Sequence, residues 1–483
     1  MKVERDTQYS CVWCGAPSLD AELTELRCSN CSRSYPIVDD IPILTLRPRS
    51  QLSAASQLLR SADSKIRELA AILSSVAASD PMHACTRARG ERALVGMRTN
   101  LALIEAHMKS SELIVRESAA KLDFLDCISN CDSAWSPEVM LPFFYQDWGP
   151  TDEFEKVKSL IIMALRQHRS NSEAIAVLGA GACGLVQAAA AEFDRAYGVD
   201  LSIPTLLIAR NVLAGHPIVV HLENAEWTAV QLRSREQTRS NVRLATADVA
   251  NLPFSDNSLS AVVTQYLMDI VGNPLRVAIE IQRVLKPGGV WVNFSLPLRW
   301  PVLPRELGRF TLEELPAFLE RAGFQLSESR QERFSCVNLE KVAETAPTCR
   351  MSVHFFVAAK APDTGKSMSG SYNGGIAAGD DDGWWRNVPE FVTGRRAEIA
   401  SMMHICSERG SPRFEGSSPY VLQEDDARML KSLSELIDGK RTYSEIYSAI
   451  VGQGFGVSLP DFRELFHYLS DRLGFIADRS QRQ

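Results

Sequence analysis

Basic charge is scarce in this 483-residue chain: 52 Lys and Arg face 59 Asp and Glu, a net charge of −7. Proteins that live on nucleic acid draw most of their affinity from phosphate neutralisation, so this balance argues against such a partner and leaves room only for a local basic face. An apolar leader is also missing. The opening run MKVERDTQYS has no h-region, so no secretory signal is expected and the cytoplasm is the expected location. Long apolar runs are rare too. Only Ala174–Ala191 stays uncharged over a length near that of a membrane span, and glycines cluster near its middle. It reads as a buried strand, a turn and a helix start, so no membrane partner is expected. No internal repeat is evident. What is present is ordinary globular material, 45% hydrophobic and 23% charged. The length implies roughly two to four domains, because single cores stop growing well short of it.

Cysteine is unevenly spread. Four of the eleven, Cys11, Cys14, Cys28 and Cys31, form C-x2-C-x13-C-x2-C. Without a secretory signal, such knuckles point to a metal site rather than a disulfide framework. Four thiolates can close a tetrahedral zinc site at Zn–S distances of about 2.3 Å with no position left open, so a structural Zn2+ is expected. Residues 1–46 are therefore a zinc ribbon. Residues 50–140 form a helical region, on the spacing of Leu58, Ile66, Leu69, Ile72 and Leu73.

From Glu173 to about Lys360 apolar runs alternate with helical stretches: Ala174–Leu178, Ala196–Val199, Leu244–Ala247, Ala261–Tyr266 and Gly289–Phe294. Alternation of this kind predicts an α/β core with a doubly wound, mainly parallel sheet over 141–360. The run APDTGKSMSGSYNGGIAAGDDDG predicts a flexible linker over 361–385. Helical periodicity returns over 386–483, with a short strand expected near Leu473–Ile476.

The core carries four signals in order. Gly179, Gly181 and Gly184 follow the run Ile175–Leu178 as G-x-G-x-x-G, which permits a tight turn and close backbone approach to a ligand. Asp200 ends the next run, Tyr197–Val199, where a carboxylate can accept both hydroxyls of a ribose. Asp248 and Val249 precede Leu252–Pro253–Phe254, where an acid can receive an adenine exocyclic amine. Leu285–Lys286–Pro287–Gly288–Gly289 then leads into a strand. Any one of these is compatible with a structural βαβ turn and ordinary surface acids. Together they point to an adenosine-bearing cofactor. The L-K-P-G-G turn resembles that of class I methyltransferases, which implies S-adenosyl-L-methionine. The sulfonium methyl of that cofactor is already electrophilic, so the protein has chiefly to align a nucleophile and exclude water. A protonated acceptor further needs a base or a hydrogen-bond partner.

A narrower resemblance covers Phe144 to Lys360. Gln146–Asp147–Trp148, VLGAGACGL, GVDLS, Tyr266–Leu267–Met268–Asp269, LKPGGVWVNFSLPL and ELGRFTLEELPAFLERAGF resemble the carnosine N-methyltransferase-like family. The resemblance implies that Asp269 sits beside an acceptor imidazole, to orient the ring or hold its proton. Asp147 and Trp148 are expected to close the cofactor site from an upstream helix. The family also carries a histidine soon after the LKPGG strand, where Arg299–Trp300 stand here. His354, in the run Val353–Val357, is the candidate to face the site in its place, or else a satisfied core residue. Carnosine itself is therefore not the expected substrate. The expected acceptor is a nitrogen of a small molecule or peptide, with a histidine imidazole foremost. Two alternatives stay open, an RNA methyltransferase using the ribbon and a non-catalytic scaffold. The first lacks an N/D-P-P-Y/F run after the fourth strand.

The outer modules have resemblances of their own. Tyr35–Pro42, after the second knuckle, is similar to the small zinc-ribbon proteins that partner and activate RNA and protein methyltransferases. Ser418–Ile450 reads as helix, turn and helix, with Asp438–Gly439 in the turn, Thr442 as N-cap and Glu445 at the capping-box offset. This winged-helix-like pattern is similar to PqqD-like domains, which bind leader peptides of ribosomally made natural products by adding a strand. Dimerising winged helices share the same turn, so a homodimer is also compatible with it.

Overall fold

The computed structural model describes residues 9–75, 81–109, 125, 137–150, 152–223, 227–234, 239–299, 309–336, 349–361, 389–391, 424–472 and 476–478. Most of the linker expected over 361–385 lies outside them, as do Trp300 and the start of the ELGRF segment.

Strands β1 (Asp20–Ala21), β2 (Glu25–Arg27), β3 (Ser34–Val38) and β4 (Ile41–Leu44) pair antiparallel in a short N-terminal β-ribbon. Asp39 and Asp40 both take positive φ, 48° and 64°, between β3 and β4. That is the turn whose twist matches a two-residue hairpin. Two long helices follow, α1 (Pro48–Ser75) and α2 (Pro81–Lys109). Leu58, Ile66 and Leu73 bury one face of α1 as the spacing predicts, but Ile72 is 57% exposed. The buried Leu58, Ala62, Ile66 and Leu73 recur at spacings of four and seven, and Ile72 stands about 100° round the helix from Leu73, off that stripe.

Helices α3 (Pro137–Trp148) and α4 (Asp152–His168) lead into the core. It runs β5 (Ala174–Leu178), α5 (Gly184–Ala189), β6 (Arg195–Asp200), α6 (Ile203–Leu213), the hairpin β7 (Ile218–His221) and β8 (Ala229–Leu232), then β9 (Val242–Ala247) and β10 (Leu259–Gln265). After these come α7 (Pro274–Val284), β11 (Leu285–Ser295), α8 (Leu315–Arg321), β12 (Phe324–Cys336) and β13 (Cys349–Lys360). The strand order β9-β6-β5-β10-β11 is parallel throughout, and antiparallel β13 sits between β11 and β12. This is the doubly wound plan expected from the alternating pattern. The uncharged stretch Ala174–Ala191 resolves into β5, the glycine loop and α5. Among the described residues no helix is long and apolar enough to cross a membrane.

The ribbon does not stand apart from this sheet. β4 pairs in parallel with β9, Ile43 opposite Thr246 and Leu44 opposite Ala247, so one sheet of eleven strands runs from β1 to β12. Ile43 and Leu44 are fully buried. The pairing covers an edge of β9 that would otherwise expose unpaired N–H and C=O groups. On the helical side, Asn100 of α2 reads the backbone of His221 twice. Its Nδ2 donates to the carbonyl and its Oδ1 accepts from the amide, both at 2.8 Å.

The C-terminal part carries β14 (Pro389–Phe391), α9 (Glu424–Leu436), α10 (Tyr443–Gly452), α11 (Leu459–His467), a π-type turn (Tyr468–Arg472) and β15 (Ile476–Asp478). β14 and β15 pair antiparallel. The expected capping box is present: Thr442 Oγ1 accepts from the Glu445 amide (3.3 Å), and the Glu445 carboxylate accepts from the Thr442 amide (2.8 Å).

Candidate functional site

A cavity of about 330 Å³ opens at the carboxyl ends of β5, β6, β9 and β10. β5 has β6 on one side and β10 on the other. This reversal of winding direction is where open parallel sheets bind ligands.

The glycine loop forms one wall. Gly179 and Gly181 adopt φ of +64° and +49°, a conformation that costs an L side chain about 1–2 kcal/mol. The Ala180 amide donates to the carbonyl of Val199 (3.0 Å), tying the loop to β6. Asp200 then locks it from the next strand: Oδ2 accepts from the Gly181 amide and Oδ1 from the Ser202 amide, both at 2.9 Å. Each carboxylate oxygen keeps a second lone pair, so these bonds leave acceptor capacity for ligand hydroxyls. Burial raises the Asp200 carboxyl above the usual carboxylate range, against the pull of the Ser202, Gly181 and Leu201 amides. Ser202 also caps α6, with Pro204 in its first turn.

Helix α3 closes the loop from outside. Asp147 Oδ2 accepts from the Gly184 amide at 2.9 Å, and Trp148 Nε1 donates to the Ala182 carbonyl at 2.9 Å. A Cβ on Gly184 would lie 2.8 Å from Phe154 Cζ and 2.9 Å from Asp147 Cβ, so this glycine serves close packing rather than unusual φ. Burial pushes the Asp147 carboxyl up to about 7, opposed by the Gly184 amide. Asp248, at the end of β9, accepts from the Ala250 amide at 2.9 Å. Its loop is fastened to the ribbon. Asn251 Nδ2 donates to the carbonyl of Val12, within the first cysteine knuckle, at 2.9 Å, and the Ser10 amide donates to the Pro253 carbonyl at 3.0 Å.

Of the residues singled out in the sequence, Gly179, Gly181, Asp147, Asp200, Asp248 and Val249 line the cavity. Gly184 and Trp148 stand behind its wall. Asp269 and His354 are not among the lining residues. Asp269 follows β10, with Oδ1 buried and without a hydrogen-bond partner among the described residues. Burial raises its carboxyl to about 6, offset in part by its own amide and by the charge of Arg299. His354 lies buried in β13 opposite Ser295 of β11, and burial lowers its pKa. It adjoins a buried polar chain: Trp291 Nε1 donates to Thr264 Oγ1 (2.9 Å), which donates to Asn293 Oδ1 (2.8 Å), whose Nδ2 donates to the His354 carbonyl (3.1 Å). Met140 and Phe143 of α3, with Tyr266 and Ile270 after β10, add to the cavity's apolar lining. Met140 and Phe143 were missed because an apolar helix face reads as core, and Tyr266 stood in a quoted motif without a role. Asn273 was missed too, although an Asn immediately before Pro274 signals a helix start.

Both implied groups can be tested against these residues. The four cysteine Sγ atoms lie within 4.8 Å of one another, with Cys11–Cys31 and Cys14–Cys28 at 3.6 Å. A tetrahedron with Zn–S near 2.3 Å has edges of about 3.8 Å, so the cluster fits zinc. The Tyr35 hydroxyl, 3.0 Å from Cys11 Sγ, supports the site from behind. The cavity, with a glycine loop at one end and carboxylates at the ends of β6 and β9, fits an adenosine-bearing cation.

No curated protein matches the chain. Solved structures it is similar to include an S-adenosylmethionine-dependent methyltransferase from Methanosarcina mazei (16% identity, 41% of this chain, 98% of that one, TM-score 0.30). Others are a chain of the complex between the Haloferax volcanii Trm112 methyltransferase activator and its methyltransferase (17%, 46% and 96%, 0.32) and the [4+2]-cyclase SpnF (17%, 44% and 84%, 0.32). Residues 177–292, from the middle of β5 into β11, match the family model of a methyltransferase domain. With the strand order and the loop geometry above, this chain carries a class I S-adenosylmethionine-dependent methyltransferase domain.

Proposed function

We propose that the chain transfers the methyl group of S-adenosylmethionine to a nitrogen, foremost a histidine imidazole, of a small molecule or peptide. The observation that carries the nitrogen acceptor is Asp269, a half-buried carboxylate with one oxygen lacking a partner among the described residues, just beyond β10. When bound, the cofactor supplies an electrophilic methyl, and the acceptor nitrogen's lone pair forms the new C–N bond as the C–S bond breaks. Gly179, Gly181 and the Asp200 carboxylate hold the adenosine and amino-acid parts, and Asp248 takes the exocyclic amine. Phe143, Met140 and Tyr266 keep water from the acceptor side. Asp269 accepts the N–H of the ring, which turns the opposite nitrogen's lone pair outward, and holds the proton the ring sheds after transfer. A carboxyl near 6 suits that exchange at neutral pH. His354 adds polarity from the middle of β13, beside Asn293. Structural zinc at Cys11, Cys14, Cys28 and Cys31 holds the ribbon. The C-terminal helices with β14–β15 form the winged-helix-like part to which we assign a leader peptide, bound by strand addition.

The test pairs calorimetric titration of S-adenosylhomocysteine with a mass-shift assay on histidine, imidazole dipeptides and histidine-containing peptides. Transfer to an imidazole nitrogen is expected, with Asp269→Ala lowering turnover about 10²- to 10⁴-fold at unchanged cofactor affinity. Full turnover by Asp269→Ala defeats the assigned role. Cofactor binding with methylation of RNA alone defeats the acceptor class.

A further inference from the structure

The C-terminal helices end beside the cofactor cavity. β4 runs on to Arg47, whose Nε donates to Oε1 of Glu464 in α11 at 2.7 Å, with Nη2 3.4 Å from Oε2. The two residues are 417 positions apart, and their side chains are only 17% and 2% exposed. Arg47 Nη2 also lies 3.5 Å from Asp461 of the same helix. Where α11 ends, His467 and Tyr468 wall a small cleft whose other lining includes Asp248, Leu201 and Asn251. Asp248 and Leu201 line the cofactor cavity as well. The loop before α7 is held by the same segment. Asn273, another lining residue, accepts from the Arg276 amide through Oδ1 and donates from Nδ2 to the carbonyl of Ser470, both at 3.1 Å.

A single C-terminal segment, α11 with the turn after it, thus meets the loop after β9 and the loop before α7. A buried ion pair adds little net stability against an apolar substitute, but removing one partner is strongly unfavourable, so its effect is to fix geometry. We propose that the C-terminal module is a working part of the cofactor site. α11 and its following turn position Asp248 and Asn273, and the Arg47–Glu464 pair holds them in place, so cofactor affinity depends on docking of the module. This rests on the cofactor reading of the cavity. Glu464, Arg47 and the Ser470 carbonyl are positioning groups that act through Asp248 and Asn273. Because coupling between sites is reciprocal, bound cofactor must in turn tighten the module.

The full chain is compared as wild type, Arg47→Ala, Glu464→Ala, the exchanged pair Arg47→Glu/Glu464→Arg, and Glu435→Gln on the exposed side of α9. Each is titrated with S-adenosylhomocysteine and, separately, with adenosine, and hydrogen exchange is followed over Glu424–Arg472 and over β5 and β10. The single variants should lose about tenfold in affinity for both ligands. Exchange should rise in Glu424–Arg472 while β5 and β10 stay protected. The exchanged pair should recover most of the loss, and Glu435→Gln should match wild type. In the wild type, saturating S-adenosylhomocysteine should slow exchange in Leu459–Arg472. A loosened C-terminal segment with unchanged affinity overturns the inference alone, as does a segment whose exchange ignores the ligand. A wild type that binds neither ligand overturns the cofactor reading and this inference with it.

Discussion

Replacing Gly184 by alanine tests the packing of the glycine loop. The new Cβ would lie 2.8 Å from Phe154 Cζ and 2.9 Å from Asp147 Cβ, where apolar atoms settle about 3.5–4.0 Å apart. Either the Phe154 ring or α3 must move. Overpacking of this kind costs about 1–3 kcal/mol. Moving Asp147 also weakens its bond to the Gly184 amide at the start of α5, a further 0.5–2 kcal/mol or so. The sum, about 1.5–5 kcal/mol, corresponds to a drop of roughly 3–20 °C in the melting midpoint of a domain this size. Gly181→Ala is the comparison. There the nearest atom is 3.9 Å away and the cost is that of φ +49°, about 1–2 kcal/mol. Phe154→Leu, which removes Cζ, should return part of the loss in the Gly184→Ala background, because neighbours in contact are not additive. The assay is far-UV circular dichroism melting of the full chain. The reasoning is refuted if Gly184→Ala melts with the wild type, or if Gly181→Ala is the more damaging of the two.

Three further outcomes are expected. Burial holds the Asp147 carboxyl near 7 in the folded chain against 3.8 for a free aspartate, so its contribution to stability is complete below about pH 4 and lost as pH rises through 7. Asp147→Asn should flatten that part of the pH–stability curve in urea titrations, and an unchanged slope would refute it. Elemental analysis should find one zinc per chain, and Cys28→Ser should lose it. Hydrogen exchange in Val242–Ala247 should then rise as the β4 pairing loosens, and protection of β9 as in wild type would separate ribbon from sheet. Asn293→Leu can neither accept from Thr264 nor donate to the His354 carbonyl. It should cost roughly 2–4 kcal/mol in denaturant unfolding, and a neutral substitution would show the polar chain to be dispensable.

The sequence alone determined the core strands, the glycine turn, the acids that follow it and the cysteine cluster. β5 coincides with the run Ala174–Leu178, and the capping box at Thr442 and Glu445 formed as spaced. These features are local: side-chain period, turn chemistry and ligand spacing act over a few residues, so the order of residue types carries them. The tertiary structure decided what meets across distance. β4 joins β9 some two hundred positions later, Arg47 finds Glu464, and Asn273 finds Ser470. It also set Asp269 just outside the lining of the cavity, where the resemblance had placed it beside the acceptor, and buried His354 in β13, which had been left between the site and the core. A strand edge or a buried charge has no local signature of its partner, because that partner is chosen only when the sheet closes and removes the alternative of water.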